Sequence, residues 1–339
     1  MRPALKRLPW KHKNSKVLYY AVGFFRQLLP GKLFRAKRAN RLSEVRGQVN
    51  DYLRYRVNYY NKLAGKIRLG PDSERLSEFS PKGKSKAYFF DAFEHTRYFE
   101  PGLRLSYEFG DITWVPEQPT IVKSRPLTPG NSNSVILKLN KIRHFTYASD
   151  RKAFRDKKDM LVSRNHCVQP QRIKFLEMYI NHPRCNVGKI NDNGEHTDLL
   201  KERLTIAEQL DYKFILCIEG YDVASNLKWV MSSNSLAVML KPKYESWFME
   251  GRLIPDHHYV LLKNDFSDLD ERMDFYINNP EKAEEIIRNA HEHVEQFRDR
   301  KREGLISLLV LEKYFYLTGQ KETDENLKIL FSGEETGSI

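Results

Sequence analysis

Residues 219–228, Glu-Gly-Tyr-Asp-Val-Ala-Ser-Asn-Leu-Lys, hold the groups that a phosphate-bearing, hydroxylated ligand needs. They follow the apolar run 213–218, a strand by its pattern. Gly220 suits a positive φ or a close backbone approach. The helix expected from about Ala224 presents free amides and the positive end of its dipole, which favour phosphate. Lys228 adds a point charge, and Glu219 or Asp222 can accept sugar hydroxyls. The residues alone fit an ordinary strand-turn-helix with a polar cap equally well, and neither glycine-rich nucleotide pattern is present.

Other clusters carry less. Asp268-Leu269-Asp270 has the look of a metal-holding pair, but its place at a helix start makes it a cap. His257-His258 has no third ligand at metal spacing. Lys123-Ser124-Arg125-Pro126, with Asn131, Asn133, Lys141, Arg143 and His144, suits an anionic or hydroxylated ligand and suits a solvated loop no less. There is no Gly-x-Ser-x-Gly elbow. The cysteines, Cys167, Cys185 and Cys217, show no paired spacing, which points to a reducing, cytosolic setting.

The 339 residues carry a net charge of +13, and its location matters more than its size. Residues 1–47 hold thirteen Lys/Arg and one acid, so this arm accounts for +12. Within it the apolar run 17–25 is too short for a bilayer, which takes about 20 residues. No small-residue cleavage site follows, and a second basic cluster does. An interfacial segment on an anionic membrane, a core helix with a charged face, and a nucleic-acid-binding arm all fit.

The elements that must position these groups are clearest after residue 204. Helices are expected at 204–210, 224–232, 245–249, from 267 and from 280, and strands at 213–218, 236–240 and 259–262. Their alternation predicts a parallel sheet, which binds ligands beyond the carboxyl ends of its strands. Earlier, the pattern predicts a helix over 43–80, strands at 88–90, 120–122 and 160–162, and a helix over 171–180, while 134–139 and 145–147 fit a strand or a helix start alike. Residues 305–317 read as a closing helix, and those after 323 as a frayed polar tail.

The run 214–228, then Ser232-Ser233-Asn234-Ser235-Leu236, Leu253-Ile254-Pro255-Asp256-His257-His258-Tyr259, Asp265 and Ser267-Asp268-Leu269, resembles glycosyltransferase family 90. Its bacterial lipopolysaccharide-core branch is the nearest in pattern. Gly110-Asp111-Ile112-Thr113, Lys123-Ser124-Arg125-Pro126, Arg143-His144-Phe145, residues 243–251 and Glu312-Lys313-Tyr314-Phe315 resemble that branch in order and spacing, over about 109–319.

The resemblance implies an α/β, GT-B-like fold with two Rossmann-type domains facing a cleft. The expected divisions are the arm 1–47, an acceptor-side domain 48–203, a nucleotide-sugar domain 204–300, a closing helix 301–322 and a tail 323–339. It implies inverting transfer of a hexose, glucose or galactose, from a UDP-sugar to the inner core of a lipid-anchored oligosaccharide. The setting would be the cytoplasmic face of an anionic membrane, with no metal, no further cofactor and no nucleic acid. Donor contacts are expected from Glu219, Gly220, Asp222, Ser225, Asn226, Lys228, Lys123, Arg125, Arg164 and Glu245. The family's usual Ser and Arg are replaced here by Ala224 and Asn226, which shifts the diphosphate charge to Lys228, Lys123, Arg125 or Arg164. No carboxylate occupies the family's base segment, so Asp111 is the first nominee for the base and His166 the second. The rival readings are a capsule or protein hydroxyl as acceptor, and a non-enzymatic phosphate- or RNA-binding protein.

Overall fold

A computed structural model describes residues 12–46, 51–81 and 85–332. The chain forms two compact units that interleave in sequence. One contains residues 142–243 and 248–297 with the segment ending at Ser15; the other contains residues 16–141, 244–247 and those from Arg298 on.

The first unit is built on a five-stranded, all-parallel sheet. Across the sheet the strands run Cys185–Lys189, Lys158–Asn165, Tyr212–Leu216, Leu236–Met239, Val260–Leu261, which is order 2-1-3-4-5 by sequence. Tyr212–Leu216 and Leu236–Met239 are buried at every residue, as strands covered on both faces must be. Around them Phe154, Leu161, Phe175, Phe214, Val238 and Phe266 form one core. The helix Pro280–Glu295 buries the stripe Ala283, Ile286, Ile287, Ala290 and Val294. Because Lys158–Asn165 pairs on both sides within this sheet, the unit reaches back well before residue 204.

The second unit is mostly helical: Lys16–Leu28, Gly31–Arg46, Asp51–Tyr60, Lys86–Thr96, Arg300–Leu317 and Glu325–Phe331. Its strands are short pairs: Glu74–Arg75 antiparallel to Arg104–Leu105, Thr120–Val122 parallel to Ser134–Ile136, and Ser124–Pro126 antiparallel to Tyr244–Ser246. A second Rossmann-type sheet is therefore not found among its described residues. The Pro- and Gly-rich stretch 101–133 breaks the chain too often for long strands. Its centre is ionic. Glu303 accepts from Arg56 at 2.9 Å, Lys138 at 3.0 Å and the Trp247 indole at 2.6 Å, and the Tyr60 ring stacks on Trp247 at 3.8 Å.

Four expectations need correction. Tyr88-Phe89-Phe90 lies in the helix Lys86–Thr96, because a three-residue apolar run does not distinguish helix from strand. Residues 244–246 form a strand, with Glu245 in register with Arg125. The helix expected over 43–80 covers only 51–60 beyond Arg46 among the described residues. The supposed tail contains Glu325–Phe331, capped by Asp324 and anchored by buried Leu327, Leu330 and Phe331. No described helix is long and apolar enough to cross a membrane.

Candidate active site

An open parallel sheet of order 2-1-3-4-5 has its topological switch point between strands 1 and 3, and ligands bind outside the carboxyl ends there. In this chain those ends are Asn165-His166 and the segment from Cys217 to Gly220. The strand end picked out in the sequence thus lies where the topology places a ligand.

Gln171 and Arg172, at the start of the helix Pro170–Tyr179, tie the two ends together. The Arg172 guanidinium donates to the carbonyls of His166 at 2.7 Å, Ile218 at 2.8 Å and Glu219 at 3.1 Å. The Gln171 amide donates to the carbonyls of Glu219 and Gly220 at 3.3 and 3.1 Å. Gly220 serves close approach: a Cβ there would lie 3.2 Å from the guanidinium. The Glu219 carboxylate accepts from the Lys243 amide at 3.0 Å, closing the loop from its other side. Asp222 is buried, and its carbonyl accepts from the Gly220 amide.

The helix after this loop is shorter than expected, Leu227–Met231. Five residues sum little dipole, so an anion site at its N-terminus is weak. Asn226 occupies the N-cap position, but its amide donates to the Leu216 carbonyl at 2.9 Å. Ser225 is half-buried beside it. Lys228, whose sequence position suggests a point charge for the ligand, has a partner inside the protein. It is fully buried, with its ammonium 2.5 Å from Glu250 and 5.2 Å from the centre of the Phe248 ring.

Other expected donor ligands are also engaged. Arg164 donates to the carbonyls of Glu202, Ser163 and Asn186 and to the Asn186 side chain, at 2.7–2.9 Å. In the second unit Arg125 and Glu245 are paired at 2.8 Å and buried, and Arg125 also donates to the carbonyls of Tyr59, Tyr60 and Ser134. Buried Lys123 holds Asp111 at 2.5 Å, leaving that carboxylate one-third exposed. Arg125 meets Glu245 from 120 residues away and Arg164 meets the Glu202 carbonyl from 38, separations that local spacing does not reveal.

The cations free to meet a ligand are different ones. His166 is exposed, and its pKa is lowered by partial desolvation of the ring and by the charges of Arg203, Arg143 and Arg172. Arg143 and Arg203 are exposed and have no hydrogen bond or ion pair among the described residues. Positive charge therefore collects around strand end 165-166, and the imidazole is held neutral there at pH 7. Arg143 stood in a basic cluster of the sequence; nothing in the sequence marked Arg203, or Arg172 as a clamp.

The aspartates read as a cap have protein partners. Asp268 is the N-cap of Leu269–Asn278, but its carboxylate accepts from the Lys263 amide. Asp270 pairs with Arg184 and His182.

The model of glycosyl transferase family 90 matches residues 143–315, from Arg143 through the whole parallel sheet. Over 305 residues the chain is 41% identical to the O-glucosyltransferase LpsA of Dichelobacter nodosus, covering 89% of this chain and 96% of that protein. The chain belongs to glycosyltransferase family 90. It is accordingly a glycosyltransferase, as its motifs implied, and the non-enzymatic reading of the basic arm falls away. A shorter match, 34% identical over 104 residues, joins it to the uncharacterized protein 179R of Invertebrate iridescent virus 6; it spans 29% of this chain and 9% of that protein.

Proposed function

We propose that this family 90 enzyme transfers a hexose from a UDP-sugar, with inversion, to the inner core of a lipid-anchored lipopolysaccharide or lipooligosaccharide precursor. It would do so as a peripheral protein on the cytoplasmic face of the membrane. The observation that carries the proposal is the clamped loop 218–220 at the sheet's switch point, beside the cations around His166. The sheet unit is the donor half of a GT-B-like enzyme in this reading. Glucose is favoured over galactose because the relative matched along nearly its full length is an O-glucosyltransferase.

In the reaction an acceptor hydroxyl attacks the anomeric carbon as the bond to the β-phosphate oxygen breaks. The hydroxyl proton passes to a base, and UDP leaves with negative charge developing on its diphosphate. Glu219 and Gly220 line the sugar, while Arg143 and Arg203 neutralise the diphosphate without a metal. Two groups are proposed as the base. Asp111 is a carboxylate fixed by Lys123, and His166 is an exposed imidazole neutral at pH 7. The position of His166 beside the loop favours it. Comparing kcat against pH for Asp111→Asn and His166→Gln tests the choice: loss of the acidic limb belongs to the base. If both variants keep wild-type turnover and profile, neither is the base. A mass and linkage comparison of core oligosaccharide from cells with and without the chain tests acceptor and sugar; an unchanged core would overturn the assignment.

A further inference from the structure

The helix Lys16–Leu28 is docked by one face only. On that face Tyr19 donates to the Ala87 carbonyl at 2.9 Å and Arg26 pairs with Glu94 at 2.8 Å. Gly23 lies directly on the Phe90 ring, where a Cβ would stand 2.7 Å from its nearest atom. The opposite face is apolar and open to solvent: Val17 is 82% exposed, Leu18 65%, Phe25 60% and Leu28 79%. These residues recur at helical spacing, so they form one stripe. Soluble surfaces rarely leave such a stripe uncovered without a use.

The charges around it indicate what covers it. Residues 16–42 contain seven Lys/Arg and no acid. Arg26 and Arg35 pair with Glu94 and Glu100, and Arg38 and Arg41 lie over the Phe99 and Tyr98 rings. Lys16, Lys32 and Lys37 remain exposed. A second copy meeting this face would bring like-charged rims together. Nucleic acid would leave the aliphatic centre uncovered. An anionic lipid leaflet meets both parts at once, with acyl chains against the stripe and headgroups against the lysines.

We infer that Lys16–Leu28 is an interfacial helix that inserts Val17, Leu18, Phe25 and Leu28 into an anionic leaflet. The inference deepens the membrane setting of the proposed function and rests on that setting alone. Its test needs neither donor nor acceptor, so the two can fail separately.

The full-length protein is floated with vesicles of phosphatidylcholine alone and of phosphatidylcholine with 30% phosphatidylglycerol. Binding is expected to the anionic vesicles and is weakened by salt. Leu18→Ser/Phe25→Ser/Leu28→Ser should lower it more than tenfold at an unchanged unfolding temperature. Lys16→Glu/Lys32→Glu, confined to exposed positions, should lower it comparably, while Phe25→Trp should retain it. Donor hydrolysis should be the same in all variants. The inference is overturned if the triple-serine variant floats like wild type, or if wild type ignores anionic vesicles. It is also overturned if wild type is a dimer that the triple variant turns into a monomer.

Discussion

Replacing Lys228 separates a framework role from a catalytic one. Its ammonium and the Glu250 carboxylate are 2.5 Å apart, and the side chains are 0% and 2% exposed. Lys228→Ala leaves that carboxylate inside the protein without its counter-ion. Breaking a buried pair on one side typically costs about 3–5 kcal/mol. In a unit of this size about 1 kcal/mol moves the midpoint by roughly 2–4 °C, so the loss amounts to roughly 6–20 °C. Removing both charges is different, since an apolar replacement of similar volume is often neutral. Lys228→Met/Glu250→Leu should therefore recover most of the stability that Lys228→Ala loses. Urea unfolding followed by circular dichroism, run as a double-mutant cycle, measures the coupling directly. If Lys228→Ala unfolds like wild type but turns over donor a hundredfold more slowly, the ammonium works on the diphosphate. The framework reasoning would then be wrong.

Three further outcomes are expected. Arg172→Ala should raise the KM for the donor more than it lowers kcat, with Arg172→Lys only partly restoring it, because an ammonium cannot fork to three carbonyls; unchanged donor KM would remove the clamp from the site. Transfer should survive a strong chelator, and full loss restored by manganese would move the diphosphate onto a metal. His95 is buried with Nδ1 unbonded, and burial lowers its pKa to about 3. The unfolded imidazole takes a proton below about 6.5 while the folded one resists until about 3, so stability falls with acid across that window. His95→Gln should flatten the loss by up to about 1.4 kcal/mol per pH unit, and an unchanged slope in urea titrations would exclude His95 as its source.

Most of the sheet was legible because fully buried strands read as continuous apolar runs, as in Phe214–Leu216 and Leu236–Met239, whereas Cys185–Lys189, interrupted by Asn186 and Gly188, holds no such run. With the strands came the loop after residue 216, since topology fixes where such sheets bind. What the residues at that loop do was less legible. Lys228 and Glu250 are 22 residues apart, and Arg125 and Glu245 are 120 apart, so no local pattern showed that these charges neutralise each other. Arg172 looked like one basic residue among many until its three carbonyl partners were placed. The misread apolar run at 88–90 has a local cause: three residues hold no period that separates helix from strand.

Isothermal titration of UDP into the full-length protein, wild type against Arg143→Ala/Arg203→Ala, tests the central claim most directly. The claim is that the switch point of the sheet unit binds the donor through cations around His166. Wild type should bind UDP, and the double variant should bind at least tenfold more weakly while unfolding at the wild-type urea midpoint. Equal affinity in both proteins would contradict the account and place the diphosphate elsewhere in the chain.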